Sequence, residues 1–333
     1  MRGHILIVEP ARVDILYNPI QAGLLGRGHR VTRYPGINEF ISDRAARANA
    51  DVLIGLGVQV SRDLMASMPR LRAVMSPVTG TDGIDELAAT ELGIVVGNGQ
   101  IPENTESLAE ATVMLMLAAL YDLRGSEMVL RESRSHPMPV TARMLKGKLI
   151  GLIGFGQIAR AIVKRLSTWE VRFQTCTRRA RSDLPREVSQ VGLDELLHTS
   201  DIVTVLCPLT SETRGMLNAQ RLASLKRGAI FVNTARGGIV DEAALAALVR
   251  SKHLQCIAVD VFATEPPPSD NPLRQLSDVE AILTPHMVGH TAESIERLPM
   301  ATIESIERIM RGEPPLYVRN PQVIAEWQRR WSQ

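Results

Sequence analysis

The sequence predicts an α/β protein made of two open units, each with a parallel sheet and crossover helices. Three observations carry that reading. Short apolar runs ending at glycine, proline or a polar residue recur along the chain, and each is followed by a stretch with helical spacing. The length of 333 residues favours two domains at about 150 residues each. Apolar residues make up 45% of the chain, enough for two cores and too many for general disorder.

In the first hundred residues the expected strands are His4 to Glu9, Arg30 to Tyr34, Asp51 to Gly57, Leu71 to Pro77 and Ile94 to Asn98. In the middle they are Leu149 to Ile153, Val171 to Cys176, Ile202 to Cys207, Ala229 to Asn233, Cys256 to Val261 and Ala281 to Thr284. Between the two sets Glu106 to Leu123 reads as a helix apolar on most sides, with Asn104 and Thr105 as capping candidates. A helix of that kind is expected to pack between two bodies, as a domain connector or a dimer contact. The polar stretch Arg124 to Lys148, with Pro137 and Pro139, reads as a loosely ordered excursion. After His286 no strand is expected, only a helical run from Thr291 to Arg311 and a tail carrying Pro314, Pro315 and Pro321. The proline-rich run Glu265 to Pro272 directly follows a strand and is expected to be a loop on the functional face.

Composition removes several function classes. With 38 basic and 36 acidic residues the chain has no charge excess to attract nucleic acid. Phe, Trp and Tyr number only 5, 3 and 4, little material for stacking bases. Cys176, Cys207 and Cys256 all lie in apolar runs, where thiols behave as small buried hydrophobes, so a reducing compartment is expected. The start MRGHILIVEP reaches a carboxylate and a proline before a signal-peptide core could form. The longest apolar run, Ala111 to Leu120, is about half of a membrane span. A soluble, cytoplasmic protein with neither a membrane nor a nucleic-acid partner is expected.

Lys148 to Arg160 reads KLIGLIGFGQIAR, a buried strand followed by Gly154, Gly156 and Ala159 in G-x-G-x-x-A spacing and then a helical pattern. Gly154 permits a tight turn, Gly156 lets backbone approach a pyrophosphate, and Ala159 allows close helix-to-strand packing. A diphosphate would sit on the amides of Gln157 and Ile158 at the helix N-terminus. An NAD site usually has an acid at the end of the next strand, where a carboxylate accepts both ribose hydroxyls. Here that strand ends in Cys176, Thr177, Arg178 and Arg179, with Arg181 close behind. A hydroxyl followed by guanidinium groups suits a 2′-phosphate, so NADP(H) is the expected cofactor, with NAD(H) as the alternative.

Three successive strands end in polar residues that could converge on one crevice outside the carboxyl ends of the sheet. Ala229 to Asn233 leads to Thr234, Ala235 and Arg236, Cys256 to Val261 leads to Glu265, and Ala281 to Thr284 leads to His286. Hydride transfer to or from the substrate carbon requires a proton to move on or off its oxygen, and histidine exchanges protons near neutral pH. A carboxylate beside the ring favours its protonated form, and an arginine supplies a fork for a substrate carboxylate. His286, Glu265 and Arg236 fit those roles in that order. His286 and His290, four apart, are not expected to bind a metal, because Pro285 and Gly289 break any helix there and no third ligand is near.

IGFGQIAR, PLTSETRGMLN (Pro208 to Asn218), FVNTARGGIVDEAAL (Phe231 to Leu245), AVDVFATEPP (Ala258 to Pro267) and LTPHMVGHTAES (Leu283 to Ser294) resemble, in that order, the D-isomer-specific 2-hydroxyacid dehydrogenase family. TGTDGID (Thr79 to Asp85) and NTESLAE (Asn104 to Glu110) are similar to its amino-terminal signatures, so the resemblance spans about Ser76 to Ser294. It implies two Rossmann-like or flavodoxin-like domains with parallel sheets. The nucleotide domain (104–291) would be inserted into a substrate domain formed by 1–103 and 292–333. It also implies a homodimer acting on a small 2-oxo or 2-hydroxy acid, catalysis by Arg236, Glu265 and His286, and cofactor contacts at Thr105, Cys207, Thr234, Ala235, Asp260 and Gly289. Amides around Thr79 and Gly80 would hold the substrate carboxylate together with Arg236 and His286. Val78 and His290 depart from the family pattern, while Thr177 stands where glyoxylate and hydroxypyruvate reductases that prefer NADP also lack the acid. A corepressor that binds NAD(H), and dehydrogenases of formate or phosphite, share the scaffold and are the alternatives.

Overall fold

Apolar runs bounded by turn residues become strands, and all of them pair in parallel. The structure, a computed structural model, describes residues 2–9, 13–135 and 140–331. Pro137 and Pro139 lie outside those residues. The chain divides into two units, one of Met1–Asn104 with Thr291–Gln333 and one of Thr105–His290.

The first unit holds β1 (His4–Val8), β2 (Arg30–Tyr34), β3 (Val52–Gly55), β4 (Ala73–Met75) and β5 (Val95–Gly97), in the order β2-β1-β3-β4-β5. That is the flavodoxin-like order. The second unit holds β6 (Leu149–Ile153), β7 (Arg172–Cys176), β8 (Val188–Gln190), β9 (Ile202–Val205), β10 (Ile230–Asn233), β11 (Cys256–Val259) and β12 (Ala281–Leu283). Their order, β12-β11-β10-β9-β6-β7-β8, is the Rossmann arrangement, with its topological switch between β6 and β9. The α/β class with two parallel sheets is therefore as the sequence predicts.

The differences have local causes. Expected strands such as Leu71 to Pro77 overrun the ladder because buried flanking residues look the same in sequence as paired ones; β4 is only Ala73–Met75. Strand β8 was not expected, since two of its three side chains are exposed. The helix Pro102–Leu120 starts at its proline, which needs no amide partner there, so Asn104 and Thr105 lie in the first turn rather than at the cap. Its apolar side chains Ala109, Leu115, Met116, Ala119 and Leu120 join the core of the second unit with Ile150 and Leu152. The excursion after it contains a second helix, Leu123–Arg131, opened by Asp122, which accepts the Gly125 amide at 3.2 Å.

The helix Ala292–Met310 begins at a capping box in which Thr291 and Ser294 each accept the other's backbone amide. Leu298, Ile303, Ile306 and Ile309 bury against Ile5 and Ile7 in the core of the first unit. The tail holds a further helix, Ile324–Trp331, that the prolines obscured. Asn320 accepts the Val96 amide at 2.8 Å and donates to Ile94 O at 3.0 Å, so this tail completes the edge of β5. Trp327 is fully buried and donates its indole N–H to Arg72 O at 2.7 Å.

Replacing Trp327 by alanine removes a large buried ring and one of the two hydrogen bonds on the Arg72 carbonyl, which keeps the Val95 amide, and is expected to cost ~3–5 kcal/mol of stability in urea unfolding. A loss below ~1 kcal/mol would mean that the tail helix does not support the first unit.

Candidate active site

Gly154, directly after β6, has a φ of 99°, and a Cβ there would stand 2.9 Å from the Cys207 backbone nitrogen. Only glycine fits this turn. Gly156 faces open space and is the N-cap of the helix Gln157–Leu166 without a side-chain cap, so the amides of Gln157 and Ile158 are left to an outside acceptor. The residues present thus fit a dinucleotide pyrophosphate. Thr105 Oγ1 reaches Gln157 Oε1 at 3.3 Å beside this turn, and Ala159 is fully buried beneath it. Cys207 lies at the switch point as a poor nucleophile, its thiol pushed up to about 11 by burial.

At the end of β7 the Thr177 hydroxyl donates to Arg179 O at 2.8 Å and accepts from Gln190 Nε2 at 2.9 Å. Gln190 also donates to Arg179 O at 3.0 Å and accepts the Arg181 amide at 3.0 Å. Arg178 pairs with Glu212 at 3.1 Å, and Arg181 grips Asp183 through both carboxylate oxygens. The guanidinium of Arg179 has no partner among the described residues. The threonine therefore shapes the turn, with its one proton already donated, and Arg179 is the uncommitted cation.

The three polar residues after β10, β11 and β12 belong to one unit and come together. His286 Nδ1 stands 2.7 Å from Glu265 Oε2, while Glu265 Oε1 accepts the Phe262 amide at 3.0 Å. Burial acts to raise the Glu265 carboxyl, but the hydrogen bonds from His286 and Phe262, with the charges of His286 and Arg236, outweigh it and hold the group below the usual carboxylate range. Arg236 Nη1 donates to Ala235 O at 2.7 Å. Asn233 holds the turn before it, accepting the Ala235 amide at 3.1 Å and donating to Arg236 O at 3.1 Å. The next turn presses on the Glu265 loop, since a Cβ on Gly237 would stand 1.9 Å from the Phe262 carbonyl carbon.

His286 has a φ of 56°, a left-handed conformation costing about 1–2 kcal/mol for a residue with a side chain. Asp260 holds it there. Its carbonyl accepts the His286 amide at 2.7 Å, and its carboxylate Oδ1 accepts Thr284 Oγ1, Met287 N and Val288 N at 2.6, 3.0 and 3.2 Å. Gly289 O accepts Ser107 Oγ at 2.7 Å, and Thr234 Oγ1 lies 3.1 Å from Thr112 Oγ1. His290 bonds to Met287 O through its amide; partial burial first, and His286 second, hold its ring below the ordinary histidine range against the pull of Asp260.

Sequence reasoning missed Asn233, Gln190 and Glu242, which accepts the Ala263 amide and Asn271 Nδ2 at 2.6 Å each. Each is an amide or acid that sequence alone cannot tell from a solvated one. Thr79 and Gly80 belong to the first unit, in the loop after β4. No helix among the described residues is long and apolar enough to cross a membrane.

Residues 113–288 match the family described as D-isomer specific 2-hydroxyacid dehydrogenase, NAD binding domain. The chain is 33% identical over 275 residues to a glyoxylate reductase of Thermofilum pendens, covering 80% of each. It is 34% identical over 273 residues to a D-3-phosphoglycerate dehydrogenase of Mycobacterium tuberculosis, and spans only about half (51%) of that relative's length. Two solved structures are similar over nearly the whole chain. One is an NAD-dependent formate dehydrogenase from Staphylococcus aureus in complex with NAD, with a TM-score of 0.79 at 29% identity, covering 93% of this chain and 96% of that one. The other is an NADPH-dependent glyoxylate/hydroxypyruvate reductase from Sinorhizobium meliloti with NADP and malonate, with a TM-score of 0.81 at 25% identity, covering 96% and 97%. The glycine turn after β6, the three strand-end residues and these likenesses agree: the chain belongs to the D-isomer specific 2-hydroxyacid dehydrogenase family.

Proposed function

We propose that the protein moves a hydride between a nicotinamide dinucleotide and a small 2-oxo acid, with glyoxylate and hydroxypyruvate as the leading substrates. The observation that carries this reading is the 2.7 Å bond from His286 Nδ1 to Glu265, with Arg236 close enough to bias the same carboxylate. A glyoxylate reductase among the relatives favours a 2-oxo acid over formate or phosphite and over a corepressor role. When bound, the dinucleotide supplies or accepts the hydride at its nicotinamide ring.

The chain's own residues do the rest. With Nδ1–H donated to Glu265, His286 exchanges a proton at Nε2, giving it to the substrate oxygen in reduction and taking it back in oxidation. Glu265 fixes that tautomer and stabilises the imidazolium. Arg236 orients the substrate carboxylate and polarises the adjacent carbonyl. On this reading unit Thr105–His290 binds the dinucleotide, and amides around Thr79 and Gly80 hold the substrate carboxylate.

NADP(H) is the preferred cofactor on this reading. The support is the absence of an acid at Thr177 and the uncommitted guanidinium of Arg179, with Arg178 drawn toward Glu212. A homodimer is also part of the reading. Its support is the apolar surface of Met114, Tyr121, Leu123, Leu130, Val140 and Met144 on the second unit, beyond what its own core covers. A reducing, cytoplasmic setting accords with the free thiols of Cys176, Cys207 and Cys256.

His286→Gln is expected to cut turnover with glyoxylate by at least about a hundredfold, the lower range of general-acid contributions. Because its hydrogen bonds and neighbouring charges hold the Glu265 carboxyl below the usual carboxylate range, Glu265→Gln removes a negative charge beside the imidazole and is expected to move the alkaline fall of reduction to lower pH. Retained turnover in the first variant, or an unmoved profile in the second, would contradict these roles. For the cofactor, catalytic efficiency is expected to favour NADPH over NADH at low salt, and Arg179→Ala is expected to reduce the preference on the order of tenfold. Equal efficiencies in the unmodified protein would overturn the NADP reading. Sedimentation is expected to give a dimer at micromolar concentration that Leu130→Glu weakens; a monomer throughout would remove the dimer.

A further inference from the structure

We propose that Asn98 is a positioning residue for substrate, one that aims backbone amides of the loop after β4 at the substrate carboxylate. This rests on the reading that those amides hold the carboxylate. Three consecutive carbonyls of the loop are tied to the framework of the first unit. Gly99 N donates to Val78 O at 2.8 Å, Asn98 Nδ2 to Thr79 O at 2.7 Å, and Ser76 Oγ to Gly80 O at 2.6 Å. In a trans peptide the N–H of the next residue points away from the carbonyl. Fixing these three oxygens therefore turns the N–H groups of Thr79, Gly80 and Thr81 the other way. None of those three amides donates a hydrogen bond among the described residues, so they are a run of unpaired donors available to an anion.

The central member of the set depends on a side chain. Asn98 is 2% exposed, and its own amide is anchored to Tyr317 O at 3.2 Å. Its Nδ2 fixes Thr79 O and thereby Gly80 N–H. Its Oδ1 is buried with no partner among the described residues, an unfavourable arrangement that an apolar side chain would avoid. The asparagine is thus present for its donor. Asn104 Nδ2 adds a longer bond to Thr79 Oγ1 at 3.2 Å, which restrains the side chain and leaves the peptide plane to Asn98.

The test combines hydrogen–deuterium exchange with kinetics, using oxalate as the carboxylate probe in the presence of NADPH. Oxalate is expected to slow exchange of amides 79–81 in the unmodified protein; no slowing would overturn the underlying carboxylate reading. In Asn98→Ala that protection is expected to fall and KM for glyoxylate to rise on the order of tenfold, with kcat and NADPH affinity little changed. A merely structural defect would lower the active fraction, and with it kcat, without moving KM. If oxalate protects both proteins alike and KM is unmoved, the carboxylate reading stands and the role of Asn98 is wrong. Should Asn98→Ala fail to fold, Ser76→Ala releases Gly80 O and is expected to shift the same two readouts in the same direction. Unchanged readouts there would count against the proposal.

Discussion

The carboxylate of Asp260 is the constraint on which the candidate site depends. It stands just past β11, buried, and one of its oxygens takes three hydrogen bonds from the segment after β12. Its backbone amide reaches Asn233 O on β10, and its carbonyl takes the His286 amide. Three neighbouring strand ends are thereby locked to one residue. That lock offsets the left-handed backbone of His286 and sets its ring against Glu265.

The same logic recurs at the other loops. Side chains with a donor and an acceptor hold turns whose own backbone groups must stay available. Asn233 brackets the Arg236 turn, Gln190 brackets the turn from Thr177 to Arg181, and Asn98 with Ser76 ties down the loop at Thr79 and Gly80. Each parallel sheet delivers its own strand ends to one edge, and these short polar side chains decide which backbone groups of the loops there stay available.

Much of this was legible in the sequence, for physical reasons. Short aliphatic runs such as HILIV and LIGLI, bounded by turn residues, read as buried strands, and Gly154 marks a turn that a Cβ would close. The order of Arg236, Glu265 and His286 after successive strands was visible because parallel topology puts successive strand ends together. What stayed hidden were features without an apolar signature. Strand β8 is mostly exposed, and the helices Leu123–Arg131 and Ile324–Trp331 lie among charged residues and prolines. The bond that the Thr177 hydroxyl accepts comes from Gln190, 13 positions away, which no local pattern reveals. The apolar helix Pro102–Leu120 suggested a partner body, yet much of its apolar surface is absorbed by its own unit, because a Rossmann sheet offers it a face.

The central claim is that His286 is held as the Nδ1–H tautomer by Glu265, with Nε2 left to exchange the proton. Long-range proton–nitrogen NMR correlation of the histidine rings at a pH where His286 is neutral tests it directly. The account predicts that Nδ1 of His286 carries the proton with a downfield hydrogen-bonded resonance, and that this resonance is lost in Glu265→Gln. A neutral ring protonated at Nε2 in the unmodified protein would contradict it.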